Sequence, residues 1–113
     1  MHEMSVALEI IDIAEEEARK ANVNSVVEIE LEVGELSGVV ADALEFALDV
    51  AVKDTILAEA KRIVNYLPGK ARCNECMKEF PVDDLFSACP VCHGFNTRII
   101  QGQELRVKSL SVP

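Results

Sequence analysis

Tryptophan is absent from this chain of 113 residues, and the aromatic complement is four Phe and one Tyr. A core without indole rings has to be aliphatic, and half of the residues are hydrophobic, enough to build one. Positive charge is also scarce. Eleven Lys and Arg stand against twenty Asp and Glu, for a net charge of −9. That balance argues against nucleic acid as a ligand, because its phosphates would be repelled. Long apolar runs are missing, so no membrane span is expected, and the N-terminus lacks the basic leader and apolar run of a signal peptide. The expected location is cytoplasmic. No internal repeat or low-complexity tract is visible. The length suits one domain with room for a small appended module. Charge supports that division: residues 1–69 carry five basic and fifteen acidic residues, whereas residues 70–113 carry six and five.

Cysteine is absent too, except in one place. All four fall between Cys73 and Cys92, as C-x2-C, twelve residues, and C-x2-C again. Two thiolates separated by two residues sit on one tight turn. Two such turns supply four sulfurs to a closed tetrahedral site, the usual setting of structural zinc. Pro90 between the second pair, Gly94 just after it and Asn74 inside the first all suit turns. Two disulfides, or iron in place of zinc, are the alternatives. Cys73, Cys76, Cys89 and Cys92 are therefore read as zinc ligands.

The rest of the chain predicts an α+β fold, with two helices packed on a small three-stranded sheet. Met4, Ala7, Leu8, Ile11, Ala14 and Ala18 recur at helical steps over residues 4–21, with Glu16 and Lys20 placed to pair. Val27, Ile29, Leu31 and Val33 alternate with Glu28, Glu30 and Glu32, as in a strand with one buried face. Those three glutamates could face a metal or a partner; as a solvated sheet face they need neither. A second helix over residues 41–53 places Ala43, Leu44, Ala47, Leu48 and Ala51 on its apolar stripe, widened by Phe46 and Val50. Residues 62–67 read as a strand ended by Pro68-Gly69, and residues 97–101 and 104–108 return to strand. The four-cysteine zinc ribbon is thus an insertion between strands. Residues 1–69 and 97–113 would form one domain and residues 70–96 the zinc-binding domain.

Histidine occurs only twice, at His2 and His93. At a free N-terminus the α-amine of Met1, the backbone nitrogen of His2 and its imidazole form one chelating set. Such a planar, all-nitrogen set favours Ni(II) or Cu(II) over Zn(II). The bland alternative is an ordinary surface histidine. His93, directly after the last cysteine, is either a surface residue, a competing zinc ligand or a group that reaches the metal at His2.

Four stretches carry a resemblance that covers essentially the whole chain. Met1-His2-Glu3-Met4-Ser5, Val33-Gly34-Glu35-Leu36-Ser37-Gly38-Val39, Pro68-Gly69-Lys70-Ala71-Arg72-Cys73 and Gly102-Gln103-Glu104-Leu105 are similar to the HypA/HybF family. These are nickel metallochaperones of [NiFe]-hydrogenase maturation. The resemblance implies nickel binding by Met1 and His2, with Glu3 part of the same motif, and zinc held by Cys73, Cys76, Cys89 and Cys92. It implies a small α/β domain with an inserted zinc domain. Its implied partners are the GTPase HypB and the hydrogenase large-subunit precursor, and it implies no enzymatic activity. Where the family often has Gly directly after the last cysteine, this chain has His93. Two other classes fit parts of the sequence: a zinc-ribbon interaction module without metal cargo, and a dithiol redox protein, which needs one accessible cysteine of low pKa.

Overall fold

A computed structural model describes residues 2–113 of the chain. The elements are α1 (Glu3–Lys20), β1 (Glu28–Gly34), α2 (Ala41–Ala51), β2 (Lys61–Leu67), β3 (Lys70–Cys73), β4 (Glu79–Pro81), β5 (Thr97–Gln101) and β6 (Leu105–Ser111). They form two three-stranded sheets, ordered β2-β1-β6 and β4-β3-β5. The chain divides into two compact units. The first holds the chain up to Glu32, Val39–Asn65 and Arg106–Pro113; the second holds Val33–Gly38 and Tyr66–Leu105.

In the first unit α1 and α2 contact each other. α1 buries Val6, Ala7, Ile10, Ile11, Ala14 and Ala18. The buried stripe is therefore rotated from the one the sequence suggested, and Met4 and Leu8 are exposed. Either set satisfies helical spacing, so only the partner surface could choose between them. On α2, Leu44, Ala47 and Leu48 are buried, whereas Phe46 and Val50 stand in solvent. The expected Glu16–Lys20 pair is replaced by Arg19–Glu16 and Lys20–Glu17, each three residues apart. α1 ends at Lys20 with Ala21 as its C-cap, and Asn22 after it takes the left-handed conformation common after a helix.

β1 follows its alternation. Ile29 and Leu31 are almost wholly buried, and Glu28, Glu30 and Glu32 lie half-buried on the other face. There they meet cations from both neighbouring strands. Lys61 faces Glu28, Arg106 faces Glu32, and Lys108 approaches Glu30 at 3.5 Å. Asn65 on β2 also donates to Glu30 at 2.6 Å, and this bond is the main cause of its lowered pKa. The three glutamates are thus cross-strand ties of the sheet.

The second unit has its own small core of Ala71, Cys73, Phe80, Val82 and Cys89, with Leu36 and Ile99 against it. β3 and β4 were not legible in the sequence, and β5 pairs with β3 and not with the main sheet. Three separate sequence stretches meet here through backbone bonds. The Gly34 N–H donates to Glu104 C=O, Glu35 N–H to Leu67 C=O, and Leu36 N–H to Gly102 C=O, at 2.7–2.8 Å. So close an approach requires glycine: a Cβ on Gly34 would lie 1.9 Å from the carbonyl oxygen of Gly102. Gly34→Ala is expected to destabilise this unit at or above the roughly 3 kcal/mol upper end of overpacking costs, because backbone is all that can yield. Denaturant unfolding of the metal-loaded protein measures it.

Candidate metal centre

The cysteines sit on two turns of the same construction. In the first, Met77 N–H donates to Cys73 C=O at 3.0 Å and Cys73 N–H to Lys78 C=O at 2.9 Å. In the second, His93 N–H donates to Cys89 C=O and Cys89 N–H to Gly94 C=O, both at 2.9 Å. Each turn needs a left-handed residue directly after its second cysteine, filled by Met77 (φ 67°) and His93 (φ 62°). Glycine would adopt that backbone without cost, and histidine is one of the side chains that tolerates it. Position 93 is therefore set by backbone geometry, and its side chain is exposed. Asn74 and Asn96 clasp the turns together. Asn74 N–H donates to Asn96 C=O at 2.9 Å, the side-chain amides meet at 3.0 Å, and Asn96 Nδ2 donates to Glu75 at 3.1 Å.

The clasp brings four sulfurs into one cluster. All four Sγ atoms lie within 4.8 Å of one another, with Cys73–Cys92 at 3.5 Å and Cys76–Cys89 at 3.6 Å. A tetrahedral ion with metal–sulfur bonds of about 2.3 Å requires sulfurs about 3.8 Å apart. These spacings fit that requirement, and the four cysteines are free thiols, not disulfides. Cys73 and Cys89 are buried, while Cys76 and Cys92 reach the surface.

Electrostatics show why such a cluster requires a cation. The Cys89 thiol is drawn down to about 7 by the backbone N–H of Cys92, against the cost of burial and with help from Val91. Cys73 is lowered likewise, chiefly by the N–H of Cys76. Cys92 goes the other way, up to about 11. The N–H of Gly94 pulls it down, but the sulfur of Cys73, burial, and the sulfurs of Cys89 and Cys76 together outweigh that pull. Cys76 is also raised: the Lys78 N–H is outweighed by burial and the sulfurs of Cys89 and Cys73. Ionisation is thus favoured at two of the sulfurs and opposed at the other two, and positive charge among them would relieve that opposition. When bound, a divalent ion would supply that charge, and the four residues would hold it as a closed structural site.

The other expected ligands lie in the first unit. Met1 falls outside the described residues. His2 is exposed and occupies the N-cap of α1. Its carbonyl accepts the first ladder bond, from Val6 N–H at 3.2 Å. Its own N–H precedes the ladder and is not needed by it. Glu3 is engaged: its carboxylate accepts the backbone N–H of Val40 at 3.0 Å, and that bond is the main cause of its lowered pKa. Val40 is the N-cap of α2 and offers no capping side chain, so Glu3 caps α2 from 37 residues away. No sequence rule pairs residues so distant.

Known proteins resemble this chain along its whole length. Residues 1–112 match the family described as hydrogenase/urease nickel incorporation, metallochaperone, hypA. Curated relatives named hydrogenase maturation factor HypA include one from Parabacteroides distasonis, 45% identical over 99% of this chain and 97% of the relative. Another, from Geobacter metallireducens, is 42% identical over 99% of both. Among solved structures, the solution structure of a HypA protein covers 100% of this chain and 97% of its own, with a TM-score of 0.74 at 26% identity. That of the Ni metallochaperone HypA from Helicobacter pylori covers 99% and 97%, with a TM-score of 0.70 at 26% identity. With the match running the length of the chain, this protein belongs to the HypA family of nickel-incorporating metallochaperones.

Proposed function

We propose that this protein carries Ni(II) at its amino terminus for insertion into [NiFe]-hydrogenase, and that the Cys73, Cys76, Cys89 and Cys92 site holds structural zinc. Nickel is cargo. Its ligands are the Met1 amine, the His2 backbone nitrogen and the His2 imidazole, with Glu3 serving the same site. The observation that carries this reading is the placement of His2: an exposed imidazole beside a backbone N–H that the helix does not use. Ionising that nitrogen breaks no helical bond, and the positive end of the α1 dipole favours the resulting negative charge. An exposed terminus suits transfer by ligand exchange, while a closed four-sulfur site retains its ion.

Division of labour between the two units is part of the proposal. Nickel handling belongs to the first unit, for which the sequence suggested residues 1–69 and 97–113, and zinc to the second, for which it suggested residues 70–96 and which also takes in Val33–Gly38 and the strand Thr97–Gln101. The HypB GTPase and the hydrogenase large-subunit precursor are the proposed partners, the compartment is the cytoplasm, and no catalytic step is assigned to the chain. Among the described residues no helix is long and apolar enough to cross a membrane. With all four sulfurs committed to one ion, dithiol redox chemistry has no free cysteine to use.

Glu3 gives this reading an early test. If its part is to hold the start of α1 against Val40, Glu3→Gln keeps an acceptor for that N–H and should keep nickel affinity. Glu3→Ala should lose roughly ten-fold, the scale of losing a supporting contact. Calorimetric nickel titration separates the cases. Equal losses in both variants would make the carboxylate itself a ligand.

A further inference from the structure

The outer face of the second sheet carries a charge arrangement that nothing in nickel or zinc binding uses. Alternation along β3 turns Ala71 and Cys73 into the core and Lys70 and Arg72 outward. The antiparallel register places Arg72 of β3 directly opposite Arg98 of β5 and Glu79 of β4. Glu79 is the one acidic residue among these outward positions, and Lys70 engages it at 3.3 Å. Among the described residues, neither Arg72 nor Arg98 has an ion pair, and the Nε of Arg72 is buried without a hydrogen-bond partner.

Like charges directly opposite on neighbouring strands destabilise a sheet. A buried guanidinium nitrogen without an acceptor adds to that cost. Both are relieved by one event, the arrival of an anion between the two side chains. We propose that this face is a docking surface for a carboxylate-bearing segment of a partner protein, gripped by Arg72 and Arg98. The paired guanidinium forks match carboxylates, which they bind in two-point fashion. What flanks them favours a polypeptide over a free anion. Pro81, opposite Lys70 on β4, and Ile100, two residues along β5 from Arg98, are both exposed, and apolar contacts of that kind give a free phosphate nothing. Arg72 also lies on the opposite side of β3 from Cys73, so the carboxylate would approach without meeting the metal ligands.

The test uses the full metal-loaded chain and two synthetic ten-residue peptides, one alternating Glu with Val and one alternating Gln with Val. Nitrogen-edited NMR of the arginine Nε–H groups reads the contact directly. The Glu peptide should move the Arg72 and Arg98 signals, the Gln peptide should not, and raised salt should weaken the effect. Arg98→Gln should lower affinity for the Glu peptide at least ten-fold while metal content stays unchanged. Its melting temperature should be equal or higher, since a repulsive pair has been removed. A merely structural arginine would show the reverse, with lower stability and unaltered binding. Equal shifts with inorganic phosphate at the same concentration would make this a free-anion site and overturn the proposal. So would unaltered signals with the Glu peptide, or unaltered affinity in Arg98→Gln.

Discussion

Replacing Cys73 or Cys92 with Ser is expected to release the metal and melt the second unit while the first remains folded. The reason lies in what its core is made of. Of the five buried residues in that cluster, Cys73 and Cys89 are themselves proposed ligands, leaving Ala71, Phe80 and Val82 as the remaining buried apolar side chains. So small a core cannot offset the entropy of ordering the surrounding chain, so metal binding has to supply the difference. Structural zinc in small domains contributes on the order of 10 kcal/mol or more. Loss of one sulfur removes much of that and leaves the remaining thiolates opposed without their counter-charge. The first unit has an independent interior of Ile10, Ile11, Ile29, Leu31, Leu44 and Leu48 and no share in the cysteine site. Elemental analysis should find the metal gone, and amide exchange should show β3–β5 unprotected and α1 and α2 protected. Acid should mimic the substitution, because thiolates bind metal and thiols do not. Full metal retention in both variants would end the four-thiolate assignment.

That experiment separates what the sequence could show from what it could not. The cysteine cluster was legible because residue type and spacing alone define it, and β1 because its period-two pattern spans seven residues. β3 and β4 have four residues and three, too short for any periodicity to stand above chance. β5 was legible as a strand but not in its partner, since its pairing with β3 depends on how the cysteine turns fold. Phe46 marks a different limit. Hydrophobicity alone attached it to the stripe of α2, but residues two apart on a helix face opposite ways, so it lies across from Leu44 and Leu48 and is exposed. On α1 two stripes of equal spacing were open, and the packing partner decided which was covered. The Glu3–Val40 and Gly34–Gly102 contacts join residues far apart in the chain, which a single sequence has no means of pairing.

The sharpest test of the nickel site depends on position more than on residue type. His2→Ala should abolish tight nickel binding, with a loss beyond the roughly 100-fold that follows from removing a mere supporting group. Adding one Gly before Met1 should be almost as damaging, although every side chain stays in place. The terminal amine would then be one residue further from His2, and the fused chelate rings could no longer close. Neither change touches the cysteine turns, which belong to the other unit, so zinc content and folding should be unaltered. Glu3 should still cap Val40 in both, because that contact involves neither the amine nor the imidazole. Nickel affinity should also fall with pH, because protons compete for the amine, the imidazole and the ionised His2 amide. Calorimetric titration of the native, His2→Ala and Gly-extended proteins, with zinc measured in parallel, decides the matter. If the extended protein binds nickel as tightly as the native one, the amine is not a ligand. The site would then have to be rebuilt from side chains, starting with His2 and a Glu3 released from Val40.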